Sequence, residues 1–457
     1  MRRSALAAAL LAALTTAAAA PVERRGGTTQ PLVLNDDGGW CWFQDERAIV
    51  VGGRLLVGTV AAGRHDPSRR GAVEATVVDL ASRAVTRTRL DASPLGRPGS
   101  YDDHDAPAFA LRGDGRLLAV YAGHGSEDCF RFRVSSRPGD PSAWREERRF
   151  APSPSSRVTY SNLFRLAAEH GRIYDFFRGK DDSFKPSVAW SDDDGERWTA
   201  GEVVIDVPSS VRHRPYVKYA GDGGDTIHLV YTEGHPRDFD NSLYHVFYRD
   251  GRLHRSDGAV IREMASGLRD PAEGTRVFQG DPANVAWPAD LELGRDGRPF
   301  AAYSVQKDSA GLPPGQGGND LRYRLARWTG TRWQDSEVAF AGTRLYAGED
   351  DYAGGAALVP GDPTTVIVST NADPSTGRPL VSHADGLRHW EIYRGHSGDG
   401  GRSWRFVPLT RDSAVDNIRP VVPKADGREP IVLWVRGQYR AYTDYDLEVV
   451  GLLPARP

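Results

Sequence analysis

Seven times along the chain, two short apolar runs flank a turn rich in Gly, Asp or Pro. The pairs begin near residues 43, 104, 160, 214, 287, 352 and 417. Each reads as a β-hairpin, and the interval between successive hairpins is roughly that of one four-stranded blade, if somewhat long for the common repeats. The clearest is the stretch 101–125, YDDHDAPAFALRGDGRLLAVYAGHG. Its apolar runs 106–111 and 117–122 flank RGDGR, whose glycines supply the positive φ of a tight turn. His104 precedes the outgoing run and His124 follows the returning one, so the hairpin brings both imidazoles to its open end. Two histidines meeting there suit proton transfer near neutral pH.

The remaining composition agrees with an all-β fold. The 457 residues include 50 Gly and 30 Pro, and short β-branched and aromatic runs alternate with turn signals. Hydrophobic residues make up 39% and the mean hydropathy is -0.49, enough for a core in a soluble chain. With 58 basic and 61 acidic residues the formal net charge is -3, so no global field draws in nucleic acid or a membrane surface. An anionic ligand would need a local cluster of Arg and Lys. The segments 191–198 (SDDDGERW) and 397–404 (SGDGGRSW) share the pattern S-x-D-x-G-x-x-W. The Asp accepts backbone N–H groups, the Gly takes positive φ and the Trp packs between blades. This resembles the Asp-box, or BNR repeat, and implies a seven-bladed β-propeller. The strand-like segment 442–451 is expected to join the blade begun at 48–52 and so close the ring.

Residues 1–20, MRRSALAAALLAALTTAAAA, have the pattern of a cleaved export signal. Residues 21–39 are then a flexible leader and 40–457 a single propeller domain, secreted or periplasmic and monomeric. Cys41 and Cys129 are the only cysteines, and in an oxidising compartment they could pair.

If the hairpins are the axial strands of the blades, their open ends surround one mouth of the central channel. Blade one then offers Trp42, Gln44 and Arg47, blade two His104 and His124, and blade three Tyr160, Asn162 and Arg178. Blade four offers Arg212, Arg214, Glu233 and His235. Blades five to seven offer Trp287, Asp290, Gln306, Asp350, Asp351, Tyr352, Asn371, Arg419 and Arg436. One face thus gathers His, Tyr, Arg, Asn and Trp, which suits a sugar-binding, proton-moving site.

The segments WCWFQDERAI, YDDHDAPA, YAGHG, TYSNLFRL, RPYVKYA, YTEGHPRDFDNSLYH, WPADLEL and YTDYDLEVVGL resemble the BNR-repeat-containing polysaccharide lyases. That family includes ulvan lyases and rhamnosyl-glucuronate lyases, and the likeness runs over 40–453. It implies β-elimination at a uronic acid whose O4 carries an α-linked rhamnose, acting on an anionic, uronate-containing polysaccharide. That reaction needs a cation to neutralise the uronate carboxylate, a base for the C5 proton and an acid for the departing O4. Arginine suits the first task and neutral imidazole the second. The resemblance assigns His104 as base, or shared base and acid, with His124 as its partner. Arg214 is the first choice for the carboxylate clamp, Arg178 the second, and Tyr160 a candidate acid. Asn162, Tyr244, His245, Trp42, Trp287 and Arg419 are candidate substrate contacts. The division between acid and base stays open. The chemistry requires no cofactor, although Glu233, Asp290, Asp350 and Asp351 could hold a structural calcium or balance the arginines. Two other functions fit the fold. One is a sialidase-like glycoside hydrolase using carboxylates such as Asp290 and Asp351. The other is a non-catalytic, carbohydrate-binding propeller.

Overall fold

The computed structural model describes residues 30–206, 214–308, 312–313, 315–427 and 429–455. The export signal, the first part of the leader and Arg212 lie outside the described residues. Seven antiparallel sheets follow one another, each built outward from an axial strand. The axial strands are Ala48–Val51, Ala108–Leu111, Leu163–Leu166, Val217–Gly221, Val285–Leu293, Ala356–Val359 and Asp416–Val421. Each begins within a few residues of the hairpin start read from the sequence. Blade four is the widest, with Arg252–His254, Val260–Glu263 and Thr275–Phe278 added to its outer side.

Period-two alternation explains how one strand serves two blades. Phe109 packs with Leu56 and Val73 of blade one, whereas its neighbours Ala108 and Ala110 pack with Leu163 and Ile173 of blade three. The same division recurs around the ring and leaves a buried apolar cluster between every pair of adjacent blades. The two S-x-D-x-G-x-x-W segments form the expected turns. Asp193 Oδ1 accepts from Arg197 N at 2.8 Å, Ser191 Oγ accepts from Gly195 N at 2.7 Å, and Gly195 sits at φ +85°. Asp399 and Ser397 repeat the arrangement. Trp198 packs against Phe130 of blade two, with centroids 5.2 Å apart.

Ring closure differs from the sequence reading. The C-terminal strand Asp444–Leu452 does not join blade one; it pairs with Val432–Ala441 of its own blade. The fourth strand of that blade is Leu32–Asn35, with Leu32 opposite Gly451 and Val33 opposite Val450. The second half of the leader is therefore part of the propeller. Its short length hid it, but Leu34 is buried, and Asn35 accepts from Arg69 Nη2 at 2.7 Å. The first strand of the chain thus fastens the last blade and removes its open edge. Cys41 and Cys129 are both buried and free, so the disulfide is not formed.

Candidate active site

Each axial strand begins at the same mouth, so the loops just before the strands gather there. In blade two that loop is a single 3-10 turn, Asp103–Asp105. Asp102 caps it, accepting from His104 N at 2.9 Å. The same carboxylate then serves two imidazoles. Its Oδ1 lies 2.6 Å from His104 Nδ1, and its Oδ2 lies 2.9 Å from His124 Nδ1. His124 is steadied by its own backbone N–H, which donates to Asp105 Oδ1 at 2.9 Å. The two rings lie face to face, centroids 3.9 Å apart and planes 8° apart. The expected meeting of His104 and His124 is thus observed.

Two imidazolium charges at that separation would repel by about 4 kcal/mol at an effective dielectric of about 20, so only one ring holds a second proton. The surroundings decide which. Burial opposes a charge on His104, but the ionised carboxylate of Asp102, hydrogen-bonded to its Nδ1, favours that charge and pushes His104 above the usual imidazole range. Burial lowers His124, and the charge on His104 lowers it further, to about 4. A second carboxylate, Asp103, stands 3.0 Å from His104 Nδ1. Asp103 is fully buried and is itself held by Arg419 and by the Tyr439 hydroxyl at 2.8 Å.

Tyr160 stacks against the other side of His104, centroids 5.5 Å apart. It is buried and sits at φ +61°, a conformation rare for an aromatic residue, which neighbouring structure must hold in place. Over its ring, 4.8 Å from the centroid, lies the guanidinium of Arg178, which also covers Tyr216 at 5.2 Å. Arg178 is 4% exposed, and its Nε and Nη1 have no partner. Arg214 is more peripheral: its side chain is 30% exposed and its Nη2 lies 3.8 Å from Asp238. His235 lies beside Tyr216 and Trp287, and burial followed by Arg237, Arg214 and Arg178 pushes it down to about 2.

Beneath these groups an aromatic plug fills the channel. Phe43, Tyr160, Tyr216 and Trp287 are buried together with Cys41, and Trp42 and Tyr352 pack against them. Trp287 therefore belongs to the plug and not to an open sugar platform, while Trp42 remains partly exposed. Against the plug lies a small cavity of about 50 Å³ lined by Asp45, Glu46, Asp290 and Glu292, among others. Burial and mutual repulsion push Glu46 up to about 7, so this end of the channel disfavours an anion.

Four other sequence candidates sit elsewhere. Arg419 is 3% exposed and spends its donors on Trp40 O, Asp103 and Tyr439, so it supports the site from below and does not line the rim. His245 is fully buried between blades four and five, bonded to His228 at 3.0 Å and Ser256 at 2.8 Å. Tyr244 donates to Glu233 at 2.9 Å on the third strand of blade four. Asn162 lies in the channel wall, donating to Phe176 O at 2.9 Å with its Oδ1 unpartnered. Glu233, Asp290, Asp350 and Asp351 are dispersed over blades four to six. Among the described residues, the sets that bring three ligand atoms within 4.8 Å are Cys41–Asp103–His104 and Asp102–His104–His124. In the second set the nitrogen–oxygen distances of 2.6 and 2.9 Å are those of hydrogen bonds.

Sequence reasoning did not single out Asp102, Asp103, Tyr216 or Tyr442. The edge of Tyr442 meets both histidine rings, at 5.1 and 5.5 Å. The signal was present for the acids, since an Asp two residues before a His at the start of a short turn is a capping pattern. Tyr442 occupies the tip of the last hairpin, at the same mouth.

Residues 41–341 match a family described as "BNR repeat-containing family member". The chain belongs to this BNR repeat-containing family. No curated protein sequence matches it. Among solved structures this BNR-family chain resembles a PL25 ulvan lyase bound to -[GlcA(1-4)Rha3S]-, at 14% identity and a TM-score of 0.66. A second structure of a PL25 ulvan lyase gives 15% identity and the same score, and each likeness covers 92% of this chain and 95% of the other. An α-L-arabinofuranosidase from Fusarium graminearum gives 12% identity and a TM-score of 0.43, over 79% of this chain and 96% of that one. The two ulvan lyase likenesses show a shared propeller fold.

Proposed function

We propose that this BNR-family protein is a polysaccharide lyase that cleaves rhamnosyl-(α1→4)-uronate linkages by β-elimination. The observation that carries the reading is the stacked pair His104–His124 on one carboxylate, with the guanidinium of Arg178, two of whose nitrogens lack a partner, across Tyr160. The C5 proton of a uronate is too weakly acidic while the carboxylate keeps its full charge. Arg178, already desolvated, pairs with the carboxylate and stabilises the enolate-like transition state. Arg214 serves the outer part of the same groove. This reverses the ranking of the two arginines drawn from the sequence.

The division of acid and base follows from the pair. His124 is neutral and its Nε2 takes the C5 proton. The electrons of the broken C5–H bond form the C4–C5 double bond, and the C4–O4 bond breaks. His104, charged, gives its Nε2 proton to O4, which leaves as the hydroxyl of the new end. The proton has then moved from one ring to the other, and exchange with solvent restores the starting state. C5 and C4 are neighbouring ring atoms, and two rings 3.9 Å apart can address both at once. Tyr160 remains a neutral phenol, since burial pushes it well above its usual range. It backs His104 and carries Arg178 on its face. Secretion and monomeric action belong to the same proposal and rest on residues 1–20 and on the nature of the substrate.

The test is spectroscopic. Incubation with ulvan, or with a glucuronate glycan capped by rhamnose, should raise the ultraviolet absorbance of a conjugated unsaturated uronate. New reducing ends without that absorbance would mean hydrolysis. Binding with neither signal would mean a carbohydrate-binding module.

A further inference from the structure

Asp102 is placed as few carboxylates are. Its two oxygens are divided between two catalytic candidates, Oδ1 at 2.6 Å from His104 Nδ1 and Oδ2 at 2.9 Å from His124 Nδ1. The same Oδ1 caps the turn that carries His104. Because an ionised carboxylate can only accept, both Nδ1 atoms must carry hydrogen. The Nε2 atoms are then the positions left for chemistry, and neither has a protein hydrogen-bond partner among the described residues. The parallel stacking follows from the same constraint, since two rings tethered edge-on to one planar group lie side by side.

We propose that Asp102 is a positioning residue that binds His104 and His124 into one unit, fixing both as Nδ1–H tautomers and limiting the pair to a single shared extra proton. The unit offers the sugar one donor and one acceptor at adjacent Nε2 atoms. Neither ring alone could do so, since a lone neutral imidazole of fixed tautomer presents only one role at one atom. The other groups facing the pair support this arrangement. Asp103 adds negative charge beside His104, and Asp105 holds the backbone of His124. Arg178 and Tyr160 close the mouth side, with Cys41 beneath. Arg419 neutralises Asp103, so Asp102 remains the one carboxylate shared by both rings.

The kinetic half of this inference rests on the lyase reading, but the structural half does not. Histidine C2 protons, assigned with His104→Gln and His124→Gln, should give two titrations in the wild-type protein. One is expected near pH 4 and the other well above the ordinary imidazole range. In Asp102→Asn the amide can accept from one ring only, and the two titrations should draw together by at least one pH unit. Lyase turnover should fall on the order of 100-fold with KM changed less than about threefold. Asp102→Glu, which keeps the charge but shifts its reach, should restore the separation in part without full turnover. Two unshifted titrations in Asp102→Asn, or in a folded Asp102→Ala, would overturn the inference. So would a drop in thermal stability with the pH profile unmoved. Separated titrations that collapse in Asp102→Asn, in a protein inactive on every uronate glycan, would uphold the pair and reject the lyase.

Discussion

In the proposed elimination, Arg178 is the residue on which the chemistry turns. A buried guanidinium with unpartnered nitrogens is costly to fold, and a carboxylate arriving from a substrate would remove that cost. The aromatic faces of Tyr160 and Tyr216 hold it without neutralising it, which leaves the charge available. Arg178→Ala should lower kcat by about 100- to 1,000-fold, or ~3–4 kcal/mol of transition-state stabilisation. Arg214→Ala, with a partly exposed side chain near Asp238, should cost less than about tenfold and act mainly on KM. Initial rates on a uronate glycan decide between them, and the opposite order would return the clamp to Arg214. Acid and base were not separable in the sequence, because what distinguishes His104 from His124 is burial and the charges that folding brings around them, among them Arg178 from blade three, which lowers His124, and no local spacing reports these.

At the level of elements, the 3-10 turn Asp103–Asp105 and the strand Leu32–Asn35 carry more than their length implies. The turn is held from behind by Asp103, whose partners Arg419 and Tyr439 come from the last blade. Its backbone N–H also donates to Tyr442 O at 3.0 Å. The first strand joins that same blade, so the N-terminal clasp and the site share a support. Leu34→Ala removes a buried side chain from the junction of blades one and seven, and should lower stability to denaturant by about 2–4 kcal/mol. An unfolding midpoint unchanged from wild type would mean that the clasp is dispensable. The hairpins were legible because each pairs two short apolar runs, buried on both faces, across a turn with Gly, Asp or Pro. The clasp was not, since its four residues have a hydrogen-bond partner more than four hundred positions away and no turn between.

The whole molecule is a ring of seven blades with a plug of aromatics at its centre, and its seams contain ionisable groups that the mouth does not use. Between blades four and five, burial depresses His228 to about 4 and His245 well below its usual value. Both are neutral in the folded chain, while an unfolded imidazole takes up a proton below about pH 6.5. Their contribution is therefore complete above about pH 6.5 and is lost as pH falls toward 4, on the order of 3 kcal/mol for His228. The melting temperature should fall across that window, and His228→Gln should flatten the fall; an equal slope in both proteins would place the acid sensitivity elsewhere. His245, expected as a substrate contact, sits in this seam: strand alternation sends its neighbours Tyr244 and Val246 toward blade three and its own ring toward Ser256 and Trp333.

The most direct measurement is the crystal structure of the His124→Ala variant with a rhamnose-capped glucuronate oligosaccharide. The uronate carboxylate should lie within hydrogen-bond reach of Arg178, C5 should face the space vacated by the imidazole, and O4 should lie beside His104 Nε2. A sugar bound at the mouth with its carboxylate on Arg214 or turned to solvent, and with C5 away from residue 124, would contradict the account.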